Sequence, residues 1–281
     1  MMRATRTLVL VATLTAAGCS SSGSSATPPK TTPSAPLQIL VTNDDGFDAP
    51  GIDVVAQALR KLPNVTVTIV APATNKSGTG SQTTAGALTA TPRTTASATA
   101  ATAVDGFPAD TVRYALETMH LKPDVVVSGI NAGQNLGPIT GVSGTVGAAK
   151  AAANARISAI AASQGLVDGV DAQYPVGARL VVDWVRAHRS AFRFPNDQGP
   201  ALDVVNLNIP TCATGKVRGV RTAPLATDGT DATAPADCRS SVTATPTDTV
   251  AFHNGFAAAS QMTADGQSVT TSTTWPSTRP S

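Results

Sequence analysis

The sequence predicts an α/β protein built on a mostly parallel sheet with helices on both faces. Short apolar runs rich in Val and Ile alternate with longer amphipathic stretches along most of the chain. Strands rich in Val and Ile that alternate with helices are typical of parallel strands buried on both faces. The chain has 281 residues, 42% of them hydrophobic, which is enough for one sizeable core in one domain.

The amino-terminal half contains three predicted strands separated by two predicted helices. The apolar run at Leu37–Val41 predicts the first strand, and a Pro-Gly start with an apolar stripe predicts a helix over Pro50–Leu62. Val65–Val70 predicts the second strand. A second apolar stripe predicts a helix over Pro108–Leu121, and Val125–Val127 predicts the third strand.

The alternation continues through the middle of the chain. An Ala-rich helix is predicted over Ser143–Ala155 and a fourth strand over Ile157–Ala162. A helix over Gly177–His188 and a fifth strand over Leu202–Leu207 follow. Strands that alternate with helices in this way indicate crossover units and a parallel sheet.

Two regions do not follow this alternation. Thr83–Ala103 is dominated by Thr and Ala, and it predicts either an irregular hairpin or a mobile loop. Ala213–Ser281 is polar and Thr-rich, which predicts a carboxyl-terminal extension of hairpins and loops, packed on the domain or projecting from it. We expect the folded domain to span residues 37–270 and a disordered tail to span residues 271–281.

The first 36 residues have the composition of an export signal followed by a tether. In residues 1–19, Arg3 and Arg6 precede a short apolar run and small residues that end at Cys19, as in a signal peptide with a lipoprotein-type cleavage site. Residues 20–36 are nearly all Ser, Thr, Pro, Gly and Ala, which predicts a disordered tether. We expect the protein to be exported and to be attached to the outer face of the bacterial cell membrane by a lipid anchor only. The alternative is plain secretion.

Two further cysteines, Cys212 and Cys238, form an isolated pair. In an exported protein such a pair indicates a disulfide, and the alternative is two buried free thiols. A metal site is disfavoured because no histidine is near either cysteine in the sequence.

Composition disfavours several function classes. The formal net charge is +2 and no cluster of five or more Lys and Arg occurs, so a polymeric nucleic acid is not an expected partner. The three histidines, His120, His188 and His253, fall at predicted helix ends or in the polar tail, which argues against zinc or His-activated nucleophiles. No Gly-x-Ser-x-Gly elbow and no Gly-x-x-x-x-Gly-Lys loop occurs.

Polar clusters follow the predicted strands, where ligands bind in open parallel sheets. Asp44 and Asp45 come directly after the first strand, and two adjacent carboxylates repel each other unless a hard cation such as Mg²⁺ or Mn²⁺ lies between them. Ser77 follows the second strand and Asn131 the third, and both are neutral oxygen donors. The alternatives are local: a simple Asp-Gly turn, a Ser hydroxyl bonded to its own loop, and an Asn in a left-handed turn.

Ser143, Gly144 and Thr145 open the Ala-rich helix. A helix amino terminus with glycine presents free N–H groups and the positive end of the helix dipole, which suits a phosphate. The alternative is a plain Ser N-cap.

Taken together, these clusters resemble the SurE family of nucleotidases, from about Leu37 to Pro210. The family's motifs stand here as ILVTNDDGFDAPGI, APATNKSG, GFPADTV, SGINAGQNLG and SGTVGAAKAAA. The resemblance implies a Rossmann-like SurE fold, a phosphohydrolase that uses one divalent cation (Mg²⁺ or Mn²⁺), and nucleoside 5′- and 3′-monophosphates as substrates. It also implies a homodimer or a tetramer. Lys150 stands where the family commonly has Glu.

The resemblance also implies roles for individual residues. Asp44 and Asp45 would be catalytic, and four residues would be metal ligands: Asp44, Asp45, Ser77 and Asn131. Another four would bind the phosphate: Asn43, Ser143, Gly144 and Thr145. The alternative function is a surface lipoprotein that binds a nucleotide or phosphate without cutting it.

Overall fold

The computed structural model describes residues 35–192, residues 202–269 and Trp275. The predicted signal peptide and most of the predicted tether and tail lie outside the described residues. From Ala35 onward the chain forms one compact unit.

The described chain contains ten strands. Their bounds are β1 (Leu37–Thr42), β2 (Val65–Pro72), β3 (Thr89–Thr94), β4 (Ala100–Asp105), β5 (Val125–Ala132), β6 (Ser158–Gln164), β7 (Val204–Ile209), β8 (Val220–Thr222), β9 (Ala257–Met262) and β10 (Ser268–Val269). All five strands predicted from the sequence are present, each within about two residues at its start.

The described helices are α1 (Pro50–Arg60), α2 (Pro108–Arg113), α3 (Gly144–Asn154), α4 (Tyr174–His188) and α5 (Asp248–His253). Helix α2 continues as a π-helical turn at Tyr114–Thr118, and Gly137–Gly141 forms a 3₁₀ turn before α3. None of these helices is long and apolar enough to cross a bilayer. The four helices predicted from the sequence are all present.

All ten strands belong to one sheet, in the order β10-β9-β7-β6-β5-β1-β2-β4-β3, with β8 paired to β9. The pairs from β7 to β4 across the centre are parallel. The outer pairs β3–β4, β7–β9 and β9–β10 are antiparallel. The predicted fold class, a mostly parallel sheet, is therefore confirmed.

The sheet is covered on both faces. Ile39 and Val41 point into a cluster that includes the apolar sides of α1 and α4. Leu40, between them, points into a second cluster with α2 and α3. Side chains that alternate between two buried faces explain why the central strand sequences are mostly apolar.

The Thr- and Ala-rich region forms a hairpin, which is one of the two alternatives that the sequence left open. Strand β3 pairs with β4 from Thr89↔Asp105 to Thr94↔Ala100. Strand β3 is the sheet edge and is mostly exposed, and Pro92 on it removes one backbone donor. A proline on an edge strand discourages pairing with another chain.

The carboxyl-terminal extension contains the expected hairpin, formed by β9 and β10, and it also completes the sheet. Strand β9 lies antiparallel beside β7 and is almost fully buried, while α5 packs beneath it. Short strands with Ala, Ser and Gln carry little periodic signal, which is why the sequence did not show them. Within the predicted tail, Trp275 packs partly buried against the core.

The structure pairs Cys212 with Cys238 in a disulfide, with a Cα–Cα distance of 5.7 Å. Cys212 follows β7, and Cys238 lies in the loop before α5. The bond therefore joins the end of the parallel sheet to the carboxyl-terminal extension.

Candidate functional site

The carboxyl ends of β1, β2 and β5 bring three predicted loops together at one rim of the sheet. The Lys76 N–H donates to the Asp44 carbonyl at 2.7 Å, which joins the loop after β2 to the loop after β1. The Ala132 N–H donates to Asp45 Oδ2 at 2.9 Å, which joins the end of β5 to the same loop. The aspartates therefore sit at the junction of these loops.

The close approach at this rim depends on glycine. A Cβ on Gly51, in the first turn of α1, would lie 1.8 Å from the Ile130 carbonyl oxygen of β5. The Pro-Gly start of α1 therefore allows the helix to pack directly against the strand that carries Asn131.

Asp44 is buried, with 2% of its surface exposed. Thr145 Oγ1 donates to Asp44 Oδ1 at 2.6 Å. Burial raises the pKa of Asp44, while hydrogen bonds from Thr145 and from the backbone at Gly144 and Thr145 oppose that rise. The amino terminus of α3 thus stabilises the charged form of this carboxylate.

Asp45 is less buried than Asp44 and holds fewer hydrogen bonds. Its Oδ1 accepts a long contact from Asn75 Nδ2 at 3.4 Å. Burial, and then the negative charge of Asp44, raise the pKa of Asp45 to about 6, against the hydrogen bond from Ala132. Two neighbouring carboxylates in a buried site are therefore unfavourable unless positive charge is added.

Asn131 contributes a buried oxygen to this rim. Its Nδ2 donates to the Gly133 carbonyl at 2.6 Å, while its Oδ1 is buried with no hydrogen-bond partner. On Asn43, Oδ1 accepts from the Gly46 N–H at 3.1 Å, whereas Nδ2 is buried without a partner. A buried polar atom without a hydrogen-bond partner costs free energy, so both atoms are candidates for contact with a bound ligand.

Ser77 lies on the loop after β2 and is exposed. Its N–H donates to Asn75 Oδ1 at 2.9 Å. It follows Lys76, whose backbone is bonded to Asp44, so the loop carrying the Ser77 hydroxyl is fixed beside the aspartates.

These side chains fit a hard divalent cation. Two carboxylates and one unpaired amide oxygen meet at the rim, and these are the ligand types that Mg²⁺ and Mn²⁺ prefer. No group of three or more Asp, Glu, His or Cys side chains occurs in the described ranges. Any metal shell at the rim therefore uses neutral oxygens beside the two carboxylates.

The predicted phosphate residues on α3 have defined contacts of their own. Ser143 Oγ accepts from the Val146 N–H at 3.1 Å, so Ser143 is the N-cap of α3. The Thr145 hydroxyl is bonded to Asp44, and a Cβ on Gly144 would lie 2.7 Å from Asp44 Cβ. These contacts show that the start of α3 positions Asp44. Phosphate binding stays a prediction for Asn43, Ser143, Gly144 and Thr145.

A buried amide cluster behind the rim was missed in the sequence. Asn206 and Asn208 on β7 both donate to the Asn135 carbonyl, at 2.9 and 3.1 Å. Asn208 Oδ1 accepts from the Asn135 N–H at 2.6 Å, and Asn135 Nδ2 donates to Ser163. Two asparagines in an otherwise apolar strand were the available signal. The cluster anchors the loop that begins at Asn131.

Asp248 on α5 was also missed. Its Oδ2 accepts from the Gly137 N–H at 2.8 Å and its Oδ1 from the Ala226 N–H at 2.7 Å. Burial raises the pKa of Asp248, and these backbone donors oppose that rise. Asp248 therefore ties the carboxyl-terminal extension to the loop before α3.

Tyr174 opens α4 at the same rim. Its ring lies 3.1 Å from the position of a Cβ on Gly51. Burial raises the pKa of Tyr174, and the negative charge of Asp45 adds to that rise. Tyr174 therefore borders the site, although no sequence motif indicated it.

Comparison with known proteins supports the family resemblance that the sequence motifs indicated. The family model described as "Survival protein SurE" matches residues 39–232, the region that holds the rim and all of its loops. The chain belongs to the SurE family. Within it, a protein named 5′-nucleotidase SurE from Carboxydothermus hydrogenoformans is 38% identical over 189 residues, covering 66% of this chain and 69% of the relative. A protein named 5′-nucleotidase SurE 1 from Burkholderia lata is 36% identical over 194 residues, covering 65% and 73%.

The solved structure of the SurE protein from Aquifex aeolicus supports this family assignment. It superposes with a TM-score of 0.61 at 26% identity, and the match covers 81% of this chain and 94% of that chain. The Rossmann-like SurE fold expected from the sequence is therefore confirmed.

Lys150, near the end of α3, faces the carboxyl-terminal extension of this chain. Its Nζ lies 2.9 Å from the position of a Cβ on Gly266. The Thr263 hydroxyl, with a smaller contribution from the Lys150 charge, holds the pKa of Asp265 below its usual range. The basic residue thus lies beside an acidic turn of the carboxyl-terminal extension.

Proposed function

We propose that this SurE-family chain is a divalent-metal-dependent phosphohydrolase that releases phosphate from nucleoside 5′- and 3′-monophosphates. The observation that carries the proposal is the pairing of buried Asp44 and half-buried Asp45 beside the unpaired Oδ1 of Asn131. The relatives named 5′-nucleotidase SurE supply the substrate class.

The chain's own residues prepare this site. Thr145 and the amino terminus of α3 donate hydrogen bonds that oppose the effect of burial on the pKa of Asp44, and the Thr145 hydroxyl fixes one of its oxygens. The Ala132 N–H fixes one oxygen of Asp45, and its other oxygen has only a long contact. The unpaired Nδ2 of Asn43 is a donor suited to a phosphate oxygen.

What a bound divalent cation supplies at such a site is polarisation of a phosphoryl oxygen and a lower pKa for water. Asp44, Asp45, Ser77 and Asn131 would hold it. Mg²⁺ and Mn²⁺ are the proposed ions, because all four side chains offer oxygen.

The test is phosphate release from AMP with added Mn²⁺ or Mg²⁺, and with EDTA. We expect metal-dependent release, which EDTA abolishes. Asp45→Asn is expected to fold normally and to lose nearly all turnover and metal uptake measured by calorimetry. Asp48→Asn is the matched control, because Asp48 is an exposed carboxylate three residues away. Full metal-dependent activity in Asp45→Asn would refute the proposal. Binding of AMP without release would favour the non-catalytic lipoprotein instead.

The proposed setting is the outer face of the bacterial cell membrane. Residues 1–19 would be the signal peptide, Cys19 the acylated residue, and residues 20–36 the tether. Labelling with a fatty acid, and its loss in Cys19→Ser, would test the anchor. An unprocessed product in the cytosol would contradict it. A homodimer or tetramer is also proposed, and light scattering on the purified chain would measure it.

A further inference from the structure

A groove separate from the rim lies between α1 and α4 on one face of the sheet. It encloses about 500 Å³, a volume typical of ligand sites. Its lining includes the apolar side chains of Ala58, Leu62 and Val182. Three cations also line it: Lys61, Arg179 and Arg186.

The cations of this groove are available for binding. Within the residues that the structure describes, the side chains of Lys61 and Arg179 have no ion pair and no hydrogen bond. Arg186 has one contact, to Asp183 at 3.5 Å, and its side chain is 64% exposed. Asp53, the acidic residue of the lining, accepts hydrogen bonds from the hydroxyl groups of Thr95 and Ser97. The groove therefore combines an apolar floor with three cations and one carboxylate, which leaves an excess of positive charge in its lining.

The start of the described chain lies beside the basic end of this groove. Asn64, just after α1, accepts from the Leu37 N–H at 3.1 Å and donates to the Ala35 carbonyl at 3.4 Å. Arg189, just after α4, donates to the Pro63 carbonyl at 2.8 Å. The carboxyl ends of both helices thus meet where the 34 preceding residues join the domain.

This basic end is opposite the candidate active site. Helices α1 and α4 begin after the carboxyl ends of β1 and β6 and run back toward the strand starts. Asp44 and Asp45 therefore lie at one end of the domain, and Lys61 and Arg186 at the other.

We propose that the α1/α4 groove and its three cations form a surface that binds anionic phospholipid. A phosphate headgroup would pair with Lys61, Arg179 and Arg186, and acyl carbon would contact the apolar floor. Cations close to an anionic bilayer each contribute attraction, and the attraction weakens with salt. Because the basic end of the groove lies beside Ala35 and opposite Asp44 and Asp45, binding there would hold the phosphatase rim facing away from the membrane. This proposal rests on the proposed lipid anchor and is independent of the proposed activity.

The experiment is co-sedimentation of the chain from Ser20 to Ser281 with phosphatidylcholine vesicles, with and without phosphatidylglycerol. That chain keeps the whole compact unit and lacks the acylated cysteine, so the lipid anchor does not contribute. We expect binding only to vesicles with phosphatidylglycerol, and weaker binding at high salt. Lys61→Ala/Arg179→Ala/Arg186→Ala is expected to weaken binding on the order of 100-fold, since each cation contributes about tenfold or less.

The matched control removes three exposed cations elsewhere: Arg93→Ala/Lys216→Ala/Arg239→Ala. It has the same net charge as the groove variant, and we expect at most a fewfold loss. Equal losses in both triple variants would overturn the proposal in favour of general attraction by net charge. Absence of vesicle binding by the unmodified chain, or equal binding to phosphatidylcholine alone, would also overturn it. Phosphate release from AMP is expected to be unchanged in both variants, so failure here is distinct from failure of the proposed activity.

Discussion

Gly144 is the residue at which a single added methyl group tests the candidate site most directly. A Cβ at this position would lie 2.7 Å from Asp44 Cβ, 3.0 Å from Asp44 Oδ2 and 2.9 Å from Pro108 Cγ. Carbon atoms in ordinary contact are about 3.5 Å apart or more, so Asp44 must retreat by about 0.8 Å if it moves alone. Gly144→Ala therefore displaces a proposed metal ligand without changing its chemistry.

The expected effect is large on activity and moderate on stability. A displacement of about 1 Å in a catalytic constellation costs about 100-fold in rate. Overpacking of a buried position costs about 1–3 kcal/mol, which is smaller than the stability of a typical domain. We therefore expect Gly144→Ala to remain folded while kcat/KM for AMP falls about 100-fold.

The measurements are phosphate release with Mn²⁺ and thermal unfolding of the same samples. Gly141→Ala is the matched control, because a Cβ on Gly141 meets nothing within 4 Å and lies just before the same helix. Its activity and its Tm should equal those of the unmodified chain. If Gly144→Ala were as active as Gly141→Ala, Asp44 would not need its observed position, and the proposed metal geometry would be wrong.

Three further predictions follow from the contacts at the rim and in the extension. Thr145→Val removes the hydroxyl that donates to Asp44, so metal affinity measured by calorimetry should fall about 10–100-fold. Thr145→Ser keeps a hydroxyl and should restore the affinity. Equal affinity in the unmodified chain and both variants would contradict this role. Without metal, the pKa of Asp45 is raised from 3.8 to about 6 in the folded state, so the folded chain binds this proton more tightly than the unfolded chain does. Stability in EDTA should accordingly rise as pH falls from about 7 to about 5, and Asp45→Asn should show a flatter Tm profile; a steeper or equal slope would be the opposing result. Replacing both Cys212 and Cys238 by Ser opens a link between residues 26 apart and should lower the free energy of unfolding by about 3.5 kcal/mol, and unchanged denaturant midpoints would show that the link constrains little.

The sequence was sufficient for the parallel half of the fold and for the location of the site. Strands buried on both faces are mostly apolar, so Leu37–Val41 and Val125–Val127 could be predicted without knowledge of their partners. The rim followed from the strands, because the carboxyl ends of parallel neighbours meet at one edge. Asp44, Asp45 and Asn131 are brought to that edge as expected.

The remainder depended on contacts between distant parts of the chain. Strand β9 reads as Ala, Ser and Gln, and only its position beside β7 makes it buried. The sequence alone does not show whether the Thr145 hydroxyl faces a phosphate or Asp44. The three-dimensional structure shows that it donates to Asp44. Asn206 and Asn208 are polar residues in a buried strand, and their partner, Asn135, is about seventy residues away.

Asp248 has a practical consequence for where this protein can be shortened. The family-model match ends at residue 232, yet the carboxylate that accepts from Gly137 and Ala226 comes sixteen positions later. A fragment trimmed at the similarity boundary would retain every signature motif while losing that carboxylate, one half of the disulfide, and the strand that shields β7. Such a fragment would present a bare, apolar sheet margin to solvent, which is a recognised route to aggregation. Expression trials should therefore retain the residues that follow the family-model match, although they contain none of the signature motifs.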